Sequence, residues 1–124
     1  MTYLDPAPLV SMATAYWNSA TLIAAVKLGV FDVIAQGLQS LEEISQALNC
    51  DPIATDALLT ALLALELLER QDDQYINAPL ASTYLVSGQS QSLGGALLYN
   101  ADVYPLWGQL AEVVQQGDSV KDPQ

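Results

Sequence analysis

The chain has 124 residues, of which 52% are hydrophobic and only 14% charged, with a formal net charge of −11 and no histidine. A chain of this length makes one domain with at most a short tail, and it can bury roughly two-thirds of its unfolded surface without disulfides or metal. The acid excess excludes docking on phosphate backbones or anionic lipid, which depends on Lys and Arg, and the lack of histidine removes the commonest general base and metal ligand, so independent catalysis is not expected.

The chain opens with Asp5-Pro6-Ala7-Pro8, which reads as an extended lead-in over residues 1–8 because the residue before each proline is biased away from helix. From Leu9 to Leu28 nothing interrupts a helix. Its polar residues Ser11, Thr14, Asn18 and Thr21 fall three and four apart on one narrow stripe, and nearly everything else is apolar, including Met12, Tyr16, Trp17 and Ile23. A surface helix of a monomer shows the reverse pattern. This helix is therefore expected to be covered on most sides, in a small protein by a second chain. Gly29 supplies a left-handed cap, and Val30–Gln36 makes a short second helix closed by Gly37.

Ser40-Leu41-Glu42-Glu43 is a capping box opening a helix that contains Ile44, Ala47 and Leu48. Asp51-Pro52 is an N-cap followed by proline at the first helical position, and the leucine-rich helix it starts is predicted to reach Leu68, with Glu66 and Arg70 spaced as an i,i+4 pair. Asp72-Asp73 reads as a turn between short strands at Leu68–Arg70 and Gln74–Asn77. Helix, turn, helix and hairpin in this order form a winged-helix pattern from Ser40 to Asn77. A further helix starts at Pro79 and runs to about Leu85, Val86–Ser92 is a loop, Ser92 caps a helix over Leu93–Ala101, and Pro105 starts a last one through Val114. Residues 9–116 are thus the domain, mainly α with one hairpin, and the composition of residues 117–124 is that of a linker.

Winged helices usually read DNA, with Arg, Lys, Asn or Gln projecting from the start of the second helix. Between Ile53 and Leu59 this chain offers only Thr55 and Asp56, so the recognition helix lacks the chemistry for nucleic acid. Glu42-Glu43 and Asp72-Asp73 are expected on solvated surface. Gly94-Gly95 lacks the preceding strand and further glycine of a nucleotide loop and suggests a close helix approach instead. Cys50, the single cysteine, permits no internal disulfide and suits a reducing, cytoplasmic setting. No signal peptide is evident, and no unbroken apolar run nears the ~20 residues of a membrane span. The residues set apart for a role beyond packing are Met12, Tyr16, Trp17, Ile23, Tyr99, Tyr104 and Trp107, placed in the two over-apolar flanks and suited to an interface or to a flat aromatic ligand.

Four segments, SATLIAAVKLGVFDVI, LEEISQALNCDPIATDALLTALLALELLER, YINAPLASTYL and SLGGALLYNADVYPLWGQLAEVVQQG, resemble the N-terminal dimerisation domain of S-adenosylmethionine-dependent small-molecule O-methyltransferases, from about Val10 to Gly117. The resemblance implies an interleaved homodimer whose first helix and Tyr104–Trp107 region wall an acceptor pocket for a small aromatic or polyketide-like substrate. It also implies that S-adenosylmethionine and catalysis belong to a following domain, so that this chain carries no catalytic, cofactor-binding or metal residue of its own. Two alternatives stand beside it: a DNA-binding regulator, and an adaptor for a separately encoded catalytic subunit.

Overall fold

The computed structural model describes residues 3–117. The first helix begins earlier than the prolines suggest. Helix α1 spans Ala7–Thr14, and α2 follows as Tyr16–Leu28. Ala15 between them keeps right-handed helical dihedrals (φ −57°, ψ −29°), so Ala7–Leu28 is in effect one helix of 22 residues. The extended lead-in therefore stops short of Ala7. A proline in the first turn costs nothing, because its missing N–H has no intrahelical partner there, and the Ala7 N–H is taken instead by Asp5 Oδ1 at 3.0 Å. The same run is long and apolar enough to cross a bilayer by length and composition, contrary to the sequence expectation. Its C-terminal half is instead built into the protein: Ala25 is fully buried, and Leu22 and Val26 pack against the core.

Gly29 ends α2 at φ +89°, its N–H reaching the carbonyls of Ala25 and Val26. Helix α3 (Val30–Ala35) then buries Val30, Phe31 and Ile34. Helix α4 (Leu41–Leu48) opens with the expected capping box, in which Ser40 Oγ accepts from the Glu43 N–H at 3.0 Å and Glu43 Oε1 accepts from the Ser40 N–H at 3.1 Å. Asn49 closes α4 in the left-handed region at φ +53°. Helix α5 (Pro52–Ala64) is capped by Asp51, whose carboxylate accepts from the Ala54 N–H at 2.9 Å.

Helix α5 ends at Ala64 rather than Leu68. Glu66 turns the chain at φ +62°, the Leu67 N–H folds back onto the Leu62 carbonyl, and strand β1 (Leu68–Gln71) begins. An unbroken leucine run cannot mark where a helical period gives way to a buried strand. The expected Glu66–Arg70 helical pair is lost with it. Arg70 lies in the strand, over the ring of its cross-strand neighbour Tyr75 at 5.5 Å from the centroid and paired with Asp73 at 3.4 Å. Strand β2 (Gln74–Asn77) runs antiparallel to β1, with Leu68 opposite Asn77 and Gln71 opposite Gln74, across the tight Asp72-Asp73 turn.

Two long-range bonds seat this wing on the helices: Tyr75 N–H donates to the Gln39 carbonyl at 2.8 Å, and Asn77 Nδ2 donates to the Phe31 carbonyl at 3.0 Å. Helix α6 (Pro79–Tyr84) follows, and the loop after it is fastened by Asp32, whose two carboxylate oxygens accept from the Ser87 N–H and hydroxyl at 2.8 and 2.9 Å. Helix α7 (Gly94–Val103), a 3₁₀ segment (Tyr104–Gln109) and α8 (Leu110–Gln116) complete the described chain. Ser92 serves the start of α7, accepting from the Gly94 N–H at 3.2 Å. The linker expected beyond Gly117 lies outside the described residues.

The buried set runs from Ala25 to Val86, with Phe31, Ile44, Leu59 and Leu62 at its centre. The architecture is thus mainly α, a winged-helix arrangement with one hairpin. Outside that stretch α1, α7, the 3₁₀ segment and α8 contain no buried residue. The first helix, expected to be covered on most sides, is left open by its own chain: Leu9, Val10, Met12, Tyr16 and Trp17 are all more than half exposed.

Candidate functional site

Helices α2 and α7 lie against each other, and residues of both and of the 3₁₀ segment after α7 border one common space. Along α2, Ser19 and Leu22–Ile23 share one face, because residues three and four apart stack on a helix. On the other wall Leu97, Asn100, Val103–Tyr104 and Trp107 recur at the same spacing. Together they line a groove of about 280 Å³. A wider, shallower space of about 600 Å³, lined by Tyr16, Ser19, Tyr104, Pro105, Trp107 and Gly108, shares Ser19, Tyr104 and Trp107 with it. Trp107 also borders a third, almost wholly apolar hollow of about 270 Å³ with Val103, Leu106 and Leu110.

No carboxylate or cation lines these spaces. The polar side chains on offer are the Tyr16, Ser19 and Tyr104 hydroxyls, the Trp107 indole and the Asn100 amide, whose Nδ2 donates to the Ala96 carbonyl of its own helix at 3.0 Å. Such a surface can hold a flat apolar body and orient it by one or two hydrogen bonds.

Of the residues singled out from sequence, the fold brings Ile23, Tyr104 and Trp107 into the groove and Tyr16 to its mouth. Met12, Trp17 and Tyr99 lie outside it, exposed on α1, α2 and α7, with Trp17 edge-on to Tyr16 at 6.1 Å between ring centroids. Sequence reasoning missed Ser19, Leu22, Leu97, Asn100 and Val103. The signal available for them was their three-and-four spacing relative to the aromatics.

A separate cavity, of about 230 Å³, lies where α2 and α3 meet the start of α7. Asp32 is the one acid in its lining, and both its oxygens are already engaged by Ser87. Gly94 and Gly95 also line it, and the close helix approach expected of them is absent: a Cβ on Gly95 would meet nothing within 4 Å, and one on Gly94 only Ser92 Oγ at 3.4 Å. Among the described residues no cluster of His, Cys, Asp or Glu could hold a metal ion.

The face that would read DNA is equally bare of cations. At the start of α5, Ile53 is exposed, Thr55 is buried with its hydroxyl on the Asp51 carbonyl at 2.7 Å, and Asp56 points an acid to solvent. The wing tip adds Asp72 and Asp73, with Arg70 drawn back onto Tyr75 and Asp73. Cys50 is half-buried before α5, its thiol on the Leu48 carbonyl.

A compact winged helix flanked by uncovered apolar helices, with an aromatic groove between them, matches one family: residues 10–87 fit the O-methyltransferase dimerisation domain. The chain belongs to that family. Among curated relatives, N,N-dimethyltransferase OxyT of Streptomyces rimosus is 42% identical over 113 residues, covering 90% of this chain and 33% of that protein. Acetylserotonin O-methyltransferase of Rattus norvegicus is 40% identical over 111 residues, covering 88% of this chain and 26% of that protein. Among solved structures, human N-acetylserotonin methyltransferase in complex with SAM superposes with a TM-score of 0.83 at 29% identity, over 96% of this chain and 37% of that one. PigF with SAH gives 0.82 at 27% identity, over 94% and 39%.

The chain therefore spans about a third of the length of the proteins it matches. As an O-methyltransferase dimerisation domain it has a winged-helix arrangement without the cations of a DNA reader.

Proposed function

We propose that two copies of this chain associate through α1, the exposed side of α2 and the α7–α8 segment, and that the α2–α7 groove forms one wall of the acceptor pocket of an S-adenosylmethionine-dependent methyltransferase. The observation that carries this is the uncovered apolar flank of a domain whose family is defined by dimerisation. A stable free surface of this kind is unusual for a monomer, whereas obligate interfaces are built from such side chains. Met12, Trp17 and Tyr99 then belong to the interface, and Tyr16, Ile23, Tyr104 and Trp107 to the pocket wall. The acceptor that suits the groove is flat, aromatic or polyketide-like.

In this reading S-adenosylmethionine is held elsewhere than on the described residues, and three features support it. The sheet is a lone hairpin, Gly94-Gly95 follows a loop rather than a strand, and the acid in the neighbouring cavity is spent on Ser87. We assign the cofactor and the methyl transfer to a separate domain of the whole protein, which we place in the cytoplasm. This chain's contribution is to hold two such units together and to shape where the acceptor lies.

Sedimentation or light scattering on the chain tests the dimer: a species of twice the monomer mass is expected at micromolar concentration, and a stable monomer there would overturn it. In the whole enzyme, Trp107→Ala is expected to raise the acceptor KM about tenfold or more while leaving S-adenosylmethionine binding unchanged, as loss of a large apolar contact would.

A further inference from the structure

We propose that α1 folds only when it is covered, so that ordering of this helix and association of two chains are one transition. The proposal rests on the dimer reading above and deepens it. Helix α1 draws little order from its own chain beyond its continuity with α2 and the Asp5 bond at its start. No residue of it is buried, and all but Thr14 are exposed. From Ala7 to Val26 there is no Asp, Glu, Lys or Arg, so no ion pair forms along that stretch, and the charges that suit the helix dipole stand only at its two ends, Asp5 before the first turn and Lys27 in the last. Its N-cap, Pro6, provides no side-chain bond, and the Asp5 carboxylate satisfies only the Ala7 N–H.

Intrinsic propensity does not compensate. Ser11, Thr14, Tyr16, Trp17, Asn18, Ser19 and Thr21 all rank well below alanine. Ordering a backbone without burial is uphill, and most helices in proteins owe their stability to a packed face. Because α1 continues α2, it needs no new nucleus, and it is expected to unravel from Ala7 toward the buried anchor at Ala25. The apolar faces of α1 and early α2 (Leu9, Met12 and Tyr16 on one, Val10 and Trp17 on the next) are what a second copy would cover.

The test is amide hydrogen exchange on the 124-residue chain across a concentration series, with sedimentation giving the dimer fraction at each point. Where monomer predominates, amides of residues 9–17 should exchange near the unstructured rate while those of Leu59 and Leu62 stay protected. Where dimer predominates, residues 9–17 should slow about tenfold or more, the factor following the fall in monomer. For a chain that never dissociates on dilution, the double variant M12A/W17A supplies the monomer. Alanine raises helix propensity, so any protection lost in it reflects lost cover rather than a weaker helix.

Equal α1 protection in monomer and dimer, a monomeric variant whose α1 stays protected, or a dimeric variant whose α1 exchanges near the unstructured rate would each overturn the coupling and leave the dimer standing. Failure of the natural chain to associate at any concentration would overturn the dimer reading, and this proposal with it.

Discussion

Ser40 and Glu43 show how much a few atoms decide. Each satisfies the other's backbone N–H, and the bonds from Ser40 and Gln39 hold the Glu43 carboxyl below its ordinary value of 4.5. A carboxyl whose pKa is lower in the fold than in the unfolded chain adds stability that is present above 4.5 and lost as pH falls through the lowered value. Comparing urea midpoints of the natural chain and Glu43→Gln over a pH series should therefore show a gap at neutral pH that closes under acid. An unchanged gap would contradict the role of the carboxylate. Ser40→Ala is expected to cost about 1 kcal/mol at neutral pH, the usual loss of a helix cap. Elsewhere hydroxyls turn inward on their own helices: Thr14 and Thr21 donate to carbonyls four residues back, as do Thr55 and Thr60. Two of the four residues in the polar stripe of the first helix, Thr14 and Thr21, are thus satisfied by that helix itself.

At the scale of elements, the capped ones were legible. Gly29, Ser40 and Asp51-Pro52 each fix a boundary through a backbone requirement that sequence states directly, and the structure places caps at all three. Boundaries set by packing were not legible. The end of α5 depends on Leu67 and Leu68 entering the core beside Tyr75, and the leucine run reads the same either way. The start of α1 was misjudged because the pre-proline bias was weighed above the tolerance of a first turn for proline. The groove was half legible: its aromatics stand out by type, whereas Ser19 and Asn100 qualify only by their place on a helix face. Packing then sets the energetics. Phe31→Ala or Leu62→Ala, at fully buried positions, should cost about 2–5 kcal/mol in urea unfolding followed by circular dichroism. Ile53→Ala, exposed on α5, should stay within about 0.5 kcal/mol. Asp32→Ala should free the loop at Ser87 and cost on the order of 1 kcal/mol, with faster amide exchange at Ser87 as its local mark.

On the scale of the whole molecule, a winged helix with a net charge of −11 is a platform rather than a reader. A gel-shift at low salt, where binding through phosphates is strongest, should show no complex with duplex DNA, and a salt-sensitive complex would contradict the electrostatic argument. Between Ala25 and Val86 the chain buries its own side chains; on either side it presents them. That division has a practical side. Both tryptophans, Trp17 and Trp107, stand on the outer helices at 59% and 70% exposure, while the aromatic residues of the core are Phe31 and Tyr75. Intrinsic tryptophan emission in this protein is therefore nearly blind to whether the core is folded. It reports instead what lies against the flanks, and a blue shift on mixing reads directly as company arriving.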